Sequence, residues 1–381
     1  MINHKKRVLL LNMCDGFGGM AVHNIGQYQA LLGSRDYDVT LLIPEKSKIR
    51  QKLDALGLSY LTTNVYPYFK LPVISWLAHI KFFFYLYGMV KEKNIQIIHS
   101  NLSRELWACK MVARFLPVKV VHTRHTAVTS CGRYRWLGGV IGVSSFLVEA
   151  LGKCGLKNVA MILPFFDERK FLDFVPKSGQ TRQDFFKTKY NIAIKNVPII
   201  CTIACFNTNK NHVLLVRALH KLVYEKNKPV QLILVGQGRR KKILEKFVCD
   251  LKLQDYVYYV GFTDDTPAIL YNSDMHALPS KREALGIVSL EAMLMGKPVI
   301  CADKTGAQTI IIHEKTGLLF ENNNGDDLVE KIEYLLDNQA RAKELGENAY
   351  AYVCNNFLQD TKLAQLEQFY TKIFGNSVCK K

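Results

Sequence analysis

A chain of 381 residues with 49% hydrophobic side chains, 11 prolines and no low-complexity tract is too long for one ordinary core. It fits two globular domains of similar size and excludes a disordered or fibrous protein. The formal charge of +18 is uneven, since residues 1–170 hold 23 Lys/Arg against 10 Asp/Glu and residues 171–381 hold 28 against 23. With no nucleic-acid motif and no basic tail, the surplus in the first half favours an anionic membrane surface or a phosphorylated partner over nucleic acid. The 10 cysteines lie mostly inside apolar runs and show no zinc or redox spacing, which predicts reduced, packed thiols in a cytoplasmic protein.

The basic start, Met1 to Arg7, is followed by an apolar run over 8–13 that is too short for a signal peptide and reads as a first strand. Further strands are expected at 38–43, 95–99, 118–123 and 140–143, with helical stretches between them, which makes a doubly wound parallel sheet. Between the first strand and its helix, Asp15-Gly16-Phe17-Gly18-Gly19-Met20 is a glycine cluster whose backbone can approach a ligand closely, although its spacing is not that of a dinucleotide fingerprint. Residues 71–90 are almost uncharged apart from Lys81. A membrane span is possible by length, but Pro72, His79 and Lys81 favour a helix that covers the sheet. The other reading is an amphipathic helix on a bilayer, inserting Trp76, Phe82, Phe83, Phe84 and Tyr85. The strand at 118–123 carries His122, which reads as a packing residue, and is followed by Arg124 and His125; a histidine at a strand's carboxyl end beside an arginine faces a ligand crevice more often than a core.

A charged link with Pro164 and Pro176 leads to a second alternation, with strands at 197–204, 230–235, 257–260, 275–278 and 299–301. Lys210 stands in the first loop of this half. Gly236 and Phe262 follow two of its strands, and the run Arg239 to Lys242 reads as a solvated helix face. The most informative segment is 280–292, SKREALGIVSLEA. Gly286 opens a buried helix over 287–295, whose free amides and positive dipole end suit a phosphate. Glu291 lies inside that helix at a depth suited to gripping hydroxyls, and Glu283 lies on the loop ahead of it. A diphosphate flanked by two polyols is a nucleotide sugar. A strand, loop, helix and strand in this order form a βαβ unit, whose ligands bind at the carboxyl ends of the strands.

Segments 280–291, 296–300 (GKPVI) and 316–320 (TGLLF) together resemble the signature of retaining glycosyltransferases of family four, also called group 1. The resemblance implies an α/β GT-B architecture of two Rossmann-like doubly wound parallel-sheet domains with a cleft between them. It implies an acceptor-binding domain over 1–170, a nucleotide-sugar-binding domain over 171–355, and a final helix over 356–381 packing back on the first domain. The implied reaction moves a hexose-type sugar from a UDP- or GDP-linked donor to a hydroxyl of a glycolipid or cell-surface polysaccharide precursor, without cofactor or metal, in lipopolysaccharide or glycolipid synthesis. A place in the cytoplasm, peripheral on the inner face of the plasma membrane, goes with it.

Carried onto this chain, the family pattern makes His125, Glu283 and Lys210 catalytic: His125 near the transferred sugar, Glu283 orienting its ring, Lys210 at the donor phosphates. Gly18 and Gly19 lie beside the diphosphate, Gly236 and Phe262 at the base, Ala284, Leu285, Gly286, Ile287 and Val288 along the phosphate, and Glu291 on the ribose. Several positions depart from the pattern. Cys205 stands where an arginine is usual, Thr305 and Thr309 replace a glycine and a glutamate, and Pro164 to Asp167 replace a polar turn. Gly306 and Ala307 are still expected to offer amides to phosphate. The departures keep two alternatives open, a nucleotide-sugar epimerase of the same fold and a noncatalytic membrane-attached scaffold. An NAD-dependent dehydrogenase is weakened by the glycine spacing.

Overall fold

The computed structural model describes residues 5–14, 16, 18–65, 72–126 and 131–375. The first residues of the basic start (Met1 to His4), Asp15 and Phe17 of the glycine cluster, Leu71 and residues 376–381 lie outside them. The chain forms two compact units, residues 1–167 with 359–381 and residues 168–358.

Unit 1 is built on seven parallel strands, β1 (Lys6–Leu11), β2 (Tyr37–Pro44), β3 (Leu61–Thr63), β4 (Ile97–Ser100), β5 (Lys119–Arg124), β6 (Gly139–Gly142) and β7 (Val159–Met161), in the order β3-β2-β1-β4-β5-β6-β7. An unbroken apolar strand is what a sheet covered on both faces requires. In β1, Leu9 and Leu11 pack with Phe82, Leu86 and Val112, while Val8 and Leu10 pack with Ile25, Leu31, Leu366 and Tyr370 on the opposite face. The last of these residues belong to the terminal helix Gln359–Gly375, which returns to unit 1 and buries Leu366, Phe369, Tyr370 and Ile373.

Helix Pro72–Glu92 covers the other face. It buries Ala78, Phe82, Leu86, Met89 and Val90 at helical spacing and leaves Trp76, Leu77, Lys81 and Phe84 exposed. No described helix is long and apolar enough to cross a membrane.

One expectation fails in this unit. Cys131 and Cys154, 23 residues apart, form a disulfide with a Cα–Cα distance of 5.2 Å, inside the range such a bridge needs. The polar, glycine-containing turn at Cys131 and the helix end at Cys154 meet only in the folded chain, and a 23-residue separation carries no signal in the sequence.

Unit 2 holds six parallel strands, β8 (Ile199–Ile203), β9 (Gln231–Val235), β10 (Val257–Gly261), β11 (Met275–Leu278), β12 (Val299–Ala302) and β13 (Leu318–Phe320), in the order β10-β9-β8-β11-β12-β13. The order reverses between β8 and β11. That reversal opens a crevice outside the carboxyl ends of those two strands, where ligands of such sheets bind. The loops that leave β8 and β11 there carry Lys210 and residues 279–286. Edge strands β3, β7 and β13 have three residues each, too few to stand out as the apolar runs that marked the others.

Candidate active site

Helix Ile287–Leu294 begins on Gly286, whose φ of 87° is left-handed. A Cβ there would be strained and would press on Leu278 Cδ2 at 3.0 Å, so glycine is required. The helix has no side-chain cap, and its first amides keep no intrahelical acceptor. Ser289, Leu290, Met293 and Leu294 are buried. Glu291 lies one turn in, on the same apolar helix, and no described residue donates a hydrogen bond to its carboxylate. Burial pushes its pKa up to about 7, opposed only by the charge of Lys170. A half-buried carboxylate without a donor is unfavourable in the free protein. It is also an acceptor ready for hydroxyl groups.

Glu283 and Lys210 meet in an ion pair, with side chains only 14% and 21% exposed. Ser280 Oγ donates to the same carboxylate at 3.2 Å, as does the Ala284 amide at 3.2 Å. Lys210 is aimed by its own loop. Asn207 Oδ1 accepts from the amides of Asn209 (2.9 Å) and Lys210 (3.0 Å), and the Lys281 amide donates to Asn209 O at 2.8 Å. The lysine and glutamate, separate in the sequence reading, therefore hold one another beside the Gly286 turn. Of the other expected residues, Leu285 is buried, Gly236 has a φ of 139° and Phe262 is 58% exposed.

The loop after β12 corrects one expectation. The Gly306 amide donates to Glu283 O (2.9 Å) and the Ala307 amide to Thr305 Oγ1 (3.3 Å), so neither is open to phosphate. Thr305 has a side chain that accepts from the Ala307 amide two residues on. Gly306 is also pressed onto the preceding loop, where an added Cβ would fall 1.8 Å from Ala284 O. Gly306→Ala is expected to destabilise the protein by about 1–3 kcal/mol and to weaken nucleotide binding by displacing residues 283–286. Thermal denaturation and UDP titration of the variant check this.

In unit 1 the matching reversal lies between β1 and β4, with β5 beside β4. His125 follows β5, and its Nε2 donates to Asn101 Oδ1 at 3.2 Å. Its ring stands edge-on to His23, 4.6 Å between centroids. Burial, with Arg124 next to it, lowers the His125 pKa to about 3, so the ring is neutral. Beneath it, His99 pairs with Tyr370 Oη (2.5 Å) and Thr123 Oγ1 (2.7 Å), which ties the strand end to the terminal helix. Glu105 accepts from the Met13 amide (3.0 Å) and Ser100 Oγ (2.7 Å) and joins the ends of β1 and β4. Burial raises its pKa to about 7. Gly18 is the extended, exposed residue ahead of helix Gly19–Leu32.

Sequence reasoning missed His23, Asn12 and Asn24 at this end of unit 1. All three are buried, and neither polar atom of either asparagine side chain has a hydrogen-bond partner among the described residues. The available signal was polarity in the wrong place: Asn12 interrupts an apolar strand, and His23 and Asn24 lie on the buried side of their helix.

Residues 184–352 match the family model of the glycosyl transferases group 1, and residues 17–170 match that of Glycosyltransferase Family 4. The chain is 25% identical over 365 residues to N-acetyl-alpha-D-glucosaminyl L-malate synthase of Bacillus anthracis, covering 93% of each chain. It is 33% identical over 147 residues to a GDP-mannose-dependent phosphatidylinositol monomannoside mannosyltransferase of Mycobacterium tuberculosis, a segment that is 36% of this chain and 38% of that one. Its fold is similar to that of a Rickettsia africae glycosyltransferase (TM-score 0.83, 23% identity, covering 98% of this chain and 100% of that one). It is also similar to that of Anabaena HepE in complex with UDP and glucose (TM-score 0.80, 19% identity, covering 96% and 100%).

Proposed function

The chain belongs to family 4 of the glycosyltransferases and has the GT-B fold, and from that premise we propose that it is a retaining hexosyltransferase. It moves a sugar from a UDP- or GDP-linked donor to a hydroxyl of a glycolipid or polysaccharide precursor. The observation that carries this reading is the donorless carboxylate of Glu291, one turn behind the uncapped amides after Gly286.

In this proposal the donor's ribose diol donates to Glu291 and its diphosphate lies against the amides of Ile287 and Val288. The diphosphate draws Lys210 away from Glu283, which frees Glu283 to accept from sugar hydroxyls. The bond from C1 to the phosphate oxygen then breaks with its electron pair on the phosphate. The acceptor oxygen bonds to C1 from the same face and gives its proton to the leaving phosphate. Lys210 and the helix amides stabilise the charge that builds there. With Cys205 in place of an arginine, Lys210 carries a larger share of that task. We assign neutral His125, held by Asn101, to a hydroxyl of the transferred sugar.

The relatives' names cover malate, lipid and polymer acceptors, so the acceptor class rests on a feature of unit 1. Trp76 (62% exposed), Phe84 (66%) and Phe115 (59%), with Leu77 and Trp107, stand on helices Pro72–Glu92 and Leu106–Phe115. Exposed Lys81, Lys110 and Arg114 lie among them. Aromatic and basic side chains on one face suit an anionic bilayer. Replacing the three basic residues by alanine is expected to weaken binding to phosphatidylglycerol vesicles about a hundredfold, from about 1 kcal/mol for each charge, with thermal stability unchanged. Equal vesicle binding by variant and wild type removes the membrane from the proposal.

The reading as a whole is tested by incubating the purified chain with a panel of nucleotide sugars and measuring nucleotide release with and without lipid extract or saccharide acceptor. Acceptor-dependent release from one donor supports transfer. Equal turnover without acceptor points to an epimerase or hydrolase, and no turnover of any donor contradicts the proposal.

A further inference from the structure

We infer that unit 2 carries a second ligand site, specific for a phosphoryl group, at the N-terminus of helix His212–His220. A cavity of about 370 Å³ opens there, within the size range of small-molecule sites. Arg217, Arg240 and Lys281 line it, no acidic residue does, and no ion pair with a described residue occupies any of the three. The nine-residue helix starts on Asn211, a left-handed residue with φ of 53° whose side chain caps nothing. The amides of His212 and Val213, both cavity residues, are therefore left without an intrahelical acceptor at the positive end of the dipole.

An independent observation points to a ligand. His212 lines the same cavity, is 4% exposed, and its Nε2 has no hydrogen-bond partner among the described residues. Buried polar atoms are rarely left so. Burial first, then the charge of Lys210, lowers the ring's pKa to about 4, so a neutral imidazole there can donate Nε2–H to a phosphate oxygen. Phe206, Ile243 and Leu244 give the cavity an apolar side, which leaves room for a body attached to the phosphate.

The cavity is separate from the proposed donor site. Gly236, Phe262, Glu283, Gly286 and Glu291 do not line it. It adjoins that site through a single loop, since Asn207, which lines the cavity, also accepts from the Lys210 amide and so sets the direction of Lys210. Occupancy thus bears on the residue that meets the donor diphosphate. Through Arg240, the basic run 239–242 acquires a role beyond a solvated face.

The test is calorimetric titration of the full chain, at constant ionic strength, with inorganic phosphate and separately with glucose 6-phosphate. Each is run without UDP and with UDP at saturation. The expected result is one binding event for at least one probe that persists with UDP present. The double variant Arg240→Ala with Lys281→Ala weakens it at least about tenfold, and His212→Gln weakens it further, while the melting temperature is unchanged. Tighter binding of glucose 6-phosphate than of phosphate assigns a phosphorylated small molecule, and equal or weaker binding assigns free phosphate. Absence of binding, loss of binding once UDP is present, or binding indifferent to the double variant overturns the inference. Should UDP itself fail to bind, the titrations without it still decide the matter, and only the donor reading fails.

Discussion

Lys210→Ala is expected to lower kcat by about 10²–10³, the loss seen when one preorganised donor to a developing anion is removed, with a smaller rise in donor KM. In the free protein Lys210 neutralises Glu283 while both side chains are largely buried, so deleting the lysine alone strands a carboxylate and lowers stability as well. The double variant Lys210→Ala with Glu283→Ala separates the two effects. It should recover the melting temperature of the wild type and none of the lost kcat. A double variant that regains activity would make the pair a structural contact. Lys210→Arg keeps the charge with a different reach and should fall between the two.

Glu291→Gln is the second large effect and moves two quantities in opposite directions. A hydrogen bond to a charged group is worth about 1.5–3 kcal/mol, so the variant should bind UDP about 10–100-fold more weakly. The free protein should become more stable at neutral and higher pH. The carboxyl titrates near 7 in the folded chain against an ordinary 4.5, so the unfolded chain ionises first. This group's contribution to stability is lost as pH rises from 4.5 to 7 and stays lost above. Replacing it by an amide removes that loss, and the melting temperatures of variant and wild type should diverge above pH 4.5. UDP affinity in the wild type should rise toward pH 7 with a component that the variant lacks. The titration of the UDP phosphate is common to both proteins and cancels in the comparison. Melting curves at pH 4.5 and 8, with UDP titrations at pH 5.5, 6.5 and 7.5, check both halves.

The legible parts of this molecule are those fixed by short-range chemistry. β1, β8, β9, β11 and β12 are buried on both faces and must be unbroken apolar runs. Gly286 must be glycine, because a left-handed residue and close contact with Leu278 coincide there. Glu291 was readable because a carboxylate on an apolar helix has little purpose in a core. What stayed hidden depends on residues brought together only by folding. Lys210 and Glu283 are 73 positions apart, and His99 and Tyr370 are 271 apart, so neither pairing leaves a local pattern. The amides of Gly306 and Ala307 looked free because a sequence does not show which carbonyl or hydroxyl already holds them. Cys131 and Cys154 looked like two thiols among ten for the same reason. The polar cluster of Asn12, His23 and Asn24 was visible as misplaced polarity, but its meaning came only with the reversal of strand order between β1 and β4.

The central claim is that a nucleoside diphosphate lies on the amides after Gly286, held by Lys210 and Glu291. A crystal structure of the full chain grown with UDP or GDP tests it most directly. The account predicts phosphate oxygens about 3 Å from the amides of Ile287 and Val288 and from Lys210 Nζ, with Lys210 turned away from Glu283 and both ribose hydroxyls on the Glu291 carboxylate. A nucleotide bound elsewhere, with the Lys210–Glu283 pair intact and Glu291 untouched, would contradict it.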